Sequence, residues 1–225
     1  MPPLLTVYID FKSPYAYIAK DPTYALEGTF GIEIDWQPLT LNIGSYLGTA
    51  RKDDSGKVVE SNRSPRQWLA VKYAYRDARR YATLRGLTLK GTQKIWDSSL
   101  AAIGLLWAKQ FGHDPLKRYI DTVYEPFWKR ELDIEDPAVI ARMLDGAGCR
   151  TDGFYAYLDG EGRARHDALQ DEILDRGLYG VPTYDIDGEL YFGREHLPRV
   201  RWHLGGRQGP APDIAYDTVL GAEHG

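Results

Sequence analysis

Ser13, directly before Pro14, is the first residue of the chain that could carry chemistry. A Ser-Pro pair is typical of a helix N-cap followed by proline in the first turn, so the hydroxyl is expected at the start of a helix. Free backbone N–H groups and the positive end of the helix dipole meet there and stabilise an anion such as a thiolate or a phosphate. The alternative is that Ser13 only caps the helix.

Two further segments, residues 180–183 (GVPT) and 193–196 (GREH), carry candidate binding groups. A cis bond before Pro182 would leave the backbone N–H and C=O of Val181 open to pair with an extended peptide. A trans proline at the first residue of a strand is the plainer alternative. Polar groups at 193–196 could bind the amine or carboxylate of a ligand, or could simply be a solvated helix start.

The remaining reactive residue types point to no second site. The five histidines are scattered, and no phosphate-binding loop or nucleophile elbow is present, so we expect no metal. Cys149 is the one cysteine, which excludes a disulfide within the chain and a zinc site built on thiolates. It is interpreted as an incidental thiol.

Length and composition set the frame for these candidates. The chain has 225 residues, 43% of them hydrophobic, and a net charge of −4, which suits one elaborated domain or two small ones with a buried core. The acidic balance argues against a nucleic-acid binder. No apolar run approaches the ~20 residues that span a bilayer, and the first residues do not resemble a signal peptide. We therefore expect no nucleic-acid or membrane partner, and the single cysteine favours a cytoplasmic, reducing compartment.

The first forty residues are typical of a βαβ unit. A strand is predicted at Leu4–Ile9, a helix from Pro14 that stops before Gly28 or Gly31, and a second strand at Ile32–Trp36. This order favours parallel pairing of the two strands. Residues 38–65 are polar and irregular and are predicted to form a long loop.

A helical block follows, and strand signals return near residue 183. Pro126 is expected to kink or end the helix that contains it. Asp187-Gly188 between two β-rich runs predicts a hairpin. The predicted elements are a helix with Trp68 to Ala82 on one stripe, helices at Ile95–Phe111, from Asp114-Pro115, from Asp136-Pro137 to Gly146 and at Ala164–Leu178, strands at Thr183–Ile186 and Glu189–Phe192, a helix at Glu195–Leu204 and a loose tail at Gly205–Gly225. Because separate sheet edges are costly, the strands are expected to join into one four-stranded mixed sheet.

Four segments give the chain a family resemblance: residues 10–17 (DFKSPYAY), 132–137 (LDIEDP), 180–183 (GVPT) and 190–193 (LYFG). With these motifs it resembles the DsbA-like thioredoxin-fold superfamily, most closely its 2-hydroxychromene-2-carboxylate isomerases and kappa-class glutathione transferases. The resemblance implies an α/β thioredoxin-like domain at residues 1–62 and 163–205, an inserted helical domain at 63–162 and a tail at 206–225. It also implies a homodimer.

The same resemblance assigns roles to individual residues. Redox members of the superfamily carry a CxxC motif where this chain has Ser13-Pro14-Tyr15-Ala16, and thiol–disulfide exchange needs an attacking thiolate, so we exclude an oxidoreductase. The implied cofactor is glutathione or another low-molecular-weight thiol, with Ser13 donating a hydrogen bond to its sulfur. The implied thiol-binding residues are Asn62, Val181, Pro182, Arg194 and Glu195, the last in place of the aspartate that holds the γ-glutamyl end.

The resulting hypothesis is an isomerase. An activated thiolate would add to an unsaturated, small aromatic acid, the former double bond would rotate, and elimination would return the thiol. Tyr15, Tyr17 and Trp68 are predicted walls of the acceptor pocket, although such aromatics are as often core residues. A kappa-like glutathione transferase and a non-catalytic thioredoxin-fold binding protein are the alternatives.

Overall fold

A four-stranded mixed sheet, flanked by helices, organises the computed structural model, which describes residues 5–53 and 55–216. The strands are β1 (Leu5–Ile9), β2 (Asp35–Pro38), β3 (Ala50–Lys52), β4 (Val58–Ser61), β5 (Thr183–Ile186) and β6 (Glu189–Phe192). The helices are α1 (Pro14–Phe30), α2 (Ile43–Leu47), α3 (Pro65–Leu84), α4 (Ser99–Ala108), α5 (His113–Trp128), α6 (Pro137–Gly146), α7 (Phe154–Asp159), α8 (Glu161–Asp175) and α9 (Leu197–Leu204).

The sheet has the order β2-β1-β5-β6, and this confirms the predicted thioredoxin-like α/β class. β1 pairs in parallel with β2 and antiparallel with β5, so Val7 lies between Trp36 and Tyr184. β5 and β6 form the predicted hairpin. The sheet therefore places the loop after β1 and the loop before β5 side by side.

Helix α1 begins and ends where its sequence requires. Ser13 is the N-cap, Pro14 stands in the first turn, and Gly31 ends the helix with φ 64° while its N–H bonds to the carbonyl of Glu27. Only glycine adopts this left-handed conformation at little cost. The helix covers one face of the sheet through buried side chains such as Ile18 and Leu26.

The second strand begins three residues later than predicted. Ile32 and Ile34 are buried, as an alternating strand would require, but the backbone N–H of Ile34 donates to Glu27 Oε1 at 3.2 Å. Pairing with β1 starts only at Asp35, opposite Thr6. The Glu27 side chain, from α1, thus accepts a hydrogen bond from the Ile34 backbone N–H, which a longer strand would use for pairing within the sheet.

The prediction of an irregular loop at residues 38–65 is wrong. This segment holds α2 and the antiparallel hairpin of β3 and β4. Both strands are exposed or half-exposed, and Val58 and Val59 point to solvent. Because no face of the hairpin is buried, its sequence lacks the alternation that marks most strands.

The helical block differs from its prediction at several helix ends. α4 starts at Ser99 instead of Ile95, and a 3-10 turn, Lys109–Phe111, follows it. α5 begins at His113, before the expected cap Asp114, and continues past Pro126 to Trp128. Its last turn is held by three buried aromatic side chains, Tyr124, Phe127 and Trp128. Tertiary packing therefore outweighs the helix-breaking tendency of the proline.

Two other helices of the block also differ. α7 was not predicted, and α8 spans Glu161–Asp175 instead of Ala164–Leu178. The start of α6 after the Asp136 cap and the C-terminal helix near Leu197 are as expected.

One continuous hydrophobic core includes residues of the sheet, of α1 and of the helical block. The predicted domain limits stay a prediction. Leu4 of the first predicted strand and residues 217–225 of the tail lie outside the described residues. Of the helices described, none has both the length and the apolar composition needed to cross a membrane.

Candidate active site

Ser13 lies between the end of β1 and the first residue of α1, and its side chain is buried. Its Oγ accepts a hydrogen bond from the N–H of Ala16 at 3.3 Å and donates one to the carbonyl of Val181 at 3.4 Å. Both contacts are long for hydroxyl bonds, so neither binds the hydroxyl tightly. A ligand atom that offers a stronger acceptor can therefore compete for the proton of Ser13.

The loop before β5 faces Ser13, and the Val181–Pro182 peptide bond is cis. The Pro182 carbonyl accepts from the N–H of Gly193 at 2.9 Å, and Thr183 Oγ1 donates to the carbonyl of Gly180 at 2.7 Å. These bonds fix the loop against the end of β6. Within the described part of the chain, no acceptor pairs with the N–H of Val181, which leaves it available to a ligand backbone.

Arg194 and Glu195 follow the last strand and lie beside α1. The guanidinium of Arg194 stacks on the ring of Tyr81, with Cζ 3.4 Å from the ring centroid, and its Nε is buried without a hydrogen-bond partner among the described residues. At Gly193, φ is 100°, and an added Cβ would meet the Glu195 carboxylate at 2.6 Å. Glycine is therefore required for Glu195 to fold back at this turn.

Tyr15 joins the start of α1 to α3. Its single O–H proton is shared between Asp77 Oδ2 at 3.1 Å and the carbonyl of Ala74 at 3.4 Å. Burial, followed by the charge of Asp77, raises the pKa of Tyr15 to about 12, although the Arg194 charge opposes this. Tyr15 is therefore neutral at physiological pH and serves as a hydrogen-bond donor between the two helices.

Other predicted residues lie apart from Ser13 or inside the core. Tyr17 is 1% exposed and stacks between the rings of Tyr124 and Trp128, so it is a core residue in this structure. Asn62 ends the β3–β4 hairpin, where its Oδ1 accepts from the N–H of Thr49 at 2.6 Å. Trp68 lies under the guanidinium of Arg63. Neither Asn62 nor Trp68 has a hydrogen bond to the Ser13 loop among the described residues.

The structure adds two residues to the site, Asp10 and Lys12. The sequence analysis included them in the DFKSPYAY motif but gave them no role. The Asp10 carboxylate accepts from the N–H of Leu41 at 2.8 Å and from the N–H of Lys12 at 3.1 Å. The Asp10 carbonyl accepts from the N–H of Ser13 at 2.9 Å and from the hydroxyl of Tyr124 at 3.1 Å. The sequence did contain a signal for them: two oppositely charged residues directly follow an apolar strand, and both side chains are buried there.

Cys149 is buried in the helical block, outside this site. Burial raises the pKa of its thiol, and the nearby Arg118 charge only partly opposes the rise. A thiol of this kind is a poor nucleophile near neutral pH. In residues 5–53 and 55–216, no cluster of three or more His, Cys, Asp or Glu is placed to hold a metal ion.

Comparison with known proteins places this geometry among thioredoxin-like folds. The sequence profile of the DSBA-like thioredoxin domain family matches residues 4–205. A 2-hydroxychromene-2-carboxylate isomerase of Pseudomonas putida is 26% identical over 201 residues, which cover 86% of this chain and 90% of the relative.

Two solved structures have the same fold. A 2-hydroxychromene-2-carboxylate isomerase superposes with a TM-score of 0.70 at 20% identity, over 91% of this chain and 95% of that one. The cytosolic disulfide reductase DsbM of Pseudomonas aeruginosa, solved with GSH, gives a TM-score of 0.58 at 15% identity, over 91% and 98% of the two chains.

Proposed function

This chain belongs to the DSBA-like thioredoxin domain family, and on that premise we propose that it is a thiol-dependent isomerase of the 2-hydroxychromene-2-carboxylate isomerase type. The curated relatives bear that name. We propose glutathione, or another low-molecular-weight thiol, as the cofactor and a small aromatic acid as the substrate.

One observation carries the proposal: a buried, weakly bonded serine hydroxyl stands where redox members of the superfamily have a reactive thiol. Ser13 cannot attack a disulfide, but its hydroxyl can donate a hydrogen bond to a sulfur anion. The first turn of α1 adds the positive end of its dipole. Both favour the thiolate and would lower the pKa of a bound thiol.

The groups around Ser13 fit a bound peptide-like thiol. The N–H of Val181, which has no acceptor among the described residues, could pair with the backbone of a cysteinyl residue in the manner of an added strand, while the Val181 carbonyl already accepts from Ser13. Arg194 and Glu195 offer opposite charges for the amine and carboxylate of a γ-glutamyl group. When bound, the thiol supplies reversible addition to a conjugated carbon, which allows rotation about the former double bond.

The protein residues would then orient and stabilise. Ser13 keeps its proton and donates to sulfur before addition and after elimination. Val181 fixes the thiol in register, and the side chains around the start of α1 exclude water from the reacting atoms. No residue of the chain needs to form a covalent bond.

The direct test mixes the protein with glutathione and 2-hydroxychromene-2-carboxylate and identifies the product by absorbance and mass. We expect an isomer of unchanged mass and a rate that depends on glutathione. S13A should lower kcat about 100- to 1000-fold, as loss of one donor to a developing anion does in other enzymes. S64A, which removes the other Ser-Pro cap of the chain, is the matched control and should leave kcat unchanged.

Three results would contradict the proposal. Equal turnover by S13A would remove Ser13 from the reaction. A released conjugate with the mass of thiol plus acceptor would favour the transferase alternative. Thermal stabilisation by glutathione, with neither an isomer nor a conjugate formed from the acid, would favour a binding protein. The homodimer and the cytoplasmic location stay predictions, and sedimentation of the purified protein tests the first.

A further inference from the structure

Lys12, the residue directly before Ser13, is buried although it carries a charge. Its side chain is 5% exposed, and the side chain of its nearest carboxylate, Asp10, is 0% exposed. Charged side chains are rarely enclosed in this way unless they are paired and hydrogen-bonded. The environment of the ammonium group therefore needs an explanation.

The ammonium of Lys12 is paired only loosely. Its Nζ lies 3.6 Å from Asp10 Oδ2, beyond hydrogen-bond distance, and Oδ2 already accepts from the N–H of Leu41 at 2.8 Å. No described group accepts a hydrogen bond from this Nζ, although an ammonium has three N–H donors. Nζ is nevertheless not among the polar atoms that are both enclosed and without a hydrogen-bond partner, so the ammonium reaches the edge of its enclosure, where a ligand oxygen can accept a hydrogen bond from it.

A second buried lysine shows how the same chain satisfies an ammonium when the role is structural. Lys20, which lies within α1, has a side chain that is only 6% exposed. Its Nζ contacts the carboxylates of Asp21 and of Asp121, the latter at 2.6 Å. Lys12 and Lys20 are thus equally buried, but among the described residues only the Lys20 ammonium has carboxylate oxygens within hydrogen-bond distance.

The charges around Lys12 come from several elements. Asp97, just before α4, accepts from the N–H of Ser99 at 2.9 Å. Burial acts to raise the pKa of Asp97, but the Ser99 hydrogen bonds and then the charges of Lys12 and Arg163 hold it below its usual value. Arg163 on α8 has its nearest carboxylate, Asp167, at 3.9 Å. The Asp97 carboxylate is therefore influenced by two cations, Lys12 and Arg163, and one of its oxygens already accepts a hydrogen bond from Ser99.

We propose that the Lys12 ammonium forms an oxygen-binding subsite beside Ser13, which takes an anionic or carbonyl oxygen of a 2-oxo acid. Its catalytic use rests on the proposed function: Lys12 and Ser13 are neighbours in the turn that the Ser13 N–H to Asp10 carbonyl bond closes, so an acceptor bound at a sulfur near Ser13 could also present an oxygen to the ammonium. The oxygen gains charge as the conjugated electron pair shifts toward it, and the ammonium donates a hydrogen bond without losing its proton.

Binding of phenylglyoxylate, an unreactive aromatic 2-oxo acid, tests the subsite without any thiol. Isothermal titration calorimetry should show binding to the wild-type protein that K12M weakens about tenfold or more. K12R should recover part of the affinity because it restores a donor. K20M is the matched control and should bind as the wild type does. Failure of the wild type to bind at millimolar concentration, or equal affinity in K12M, overturns the proposal.

Replacement of Lys12 alone leaves the Asp10 carboxylate enclosed without its cation, so folding is checked by circular dichroism. D10N/K12M removes both charges and keeps the measurement interpretable if K12M does not fold. The double variant should bind phenylglyoxylate as weakly as K12M, and affinity restored to the wild-type level would contradict the subsite.

The two proposals fail separately. Lys12-dependent binding of phenylglyoxylate without glutathione-dependent turnover would refute the isomerase and keep the subsite. Turnover that depends on Ser13 with a wild-type kcat/KM in K12M would refute the subsite and keep the isomerase. In the expected case, K12M lowers kcat/KM for the acid and leaves the affinity for glutathione unchanged.

Discussion

Two helices of this chain begin with the same dipeptide, Ser13-Pro14 at α1 and Ser64-Pro65 at α3, and use it differently. In α3 the Ser64 hydroxyl accepts from the N–H of Gln67 at 3.3 Å, and the Gln67 side chain accepts from the N–H of Ser64 at 2.8 Å. This is a complete capping box at the surface. In α1 the third helical residue is Ala16, which cannot return the bond.

The Ser13 hydroxyl accepts from the N–H of Ala16 and also donates to the carbonyl of Val181, on a distant part of the chain. The same contrast separates Lys12 from Lys20. Ser64 caps its helix at the surface, whereas Ser13 is buried and makes two long hydrogen bonds. Lys20 has two carboxylates within hydrogen-bond distance, whereas the carboxylate paired with Lys12 lies 3.6 Å away. Buried polar groups that are only loosely bonded are expected where a ligand completes the set, which is consistent with the proposed ligand site at the N-terminus of α1.

The largest expected effect on stability comes from Lys12. K12M should lower the free energy of unfolding by about 3 kcal/mol, because it leaves an enclosed Asp10 carboxylate without its counter-charge. D10N/K12M should recover most of this loss. Urea denaturation measures both, and a K12M protein as stable as the wild type would show that Asp10 and Lys12 do not form a coupled pair.

K20M should cost less, about 1–2 kcal/mol, although Lys20 has better partners. The carboxylates of Asp21 and Asp121 are about half exposed, so water can replace the lost ammonium. The same denaturation series compares the two lysines. A larger loss in K20M than in K12M would contradict the proposed difference between the two lysines.

Y15F should lower the free energy of unfolding by about 1 kcal/mol at neutral pH, because it removes the donor to Asp77 and Ala74. The pKa of Tyr15 is raised from 10.0 to about 12 in the folded protein. The unfolded chain therefore ionises first, and the contribution of Tyr15 is complete below pH 10 and lost as pH rises to about 12. Y15F should show a shallower loss over that range in denaturation at stepped pH.

The smallest difference is expected between the two serine caps. S13A and S64A should each lower the free energy of unfolding by about 1 kcal/mol, as N-cap serines do elsewhere. Only S13A should lower thiol-dependent turnover. A loss of several kcal/mol in S13A would instead indicate that Ser13 is mainly structural.

Local sequence was sufficient where local chemistry decides the structure. The Ser13 cap, the Gly31 stop of α1 and the hairpin at Asp187-Gly188 depend on residues within a few positions of one another, and each lies where it was predicted. The family motifs also predicted the fold class correctly. The β3–β4 hairpin was missed because its two faces are exposed and leave no hydrophobic period.

What the sequence determined by itself is the βαβ start of the chain, the hairpin and helix that close the fold, and the family. Tertiary structure alone decided which polar groups remain unsatisfied. Whether Val181 faces Ser13 depends on segments 168 residues apart that the sheet brings together. No local pattern encodes such a contact, because the partners meet only after β1 has paired with β5.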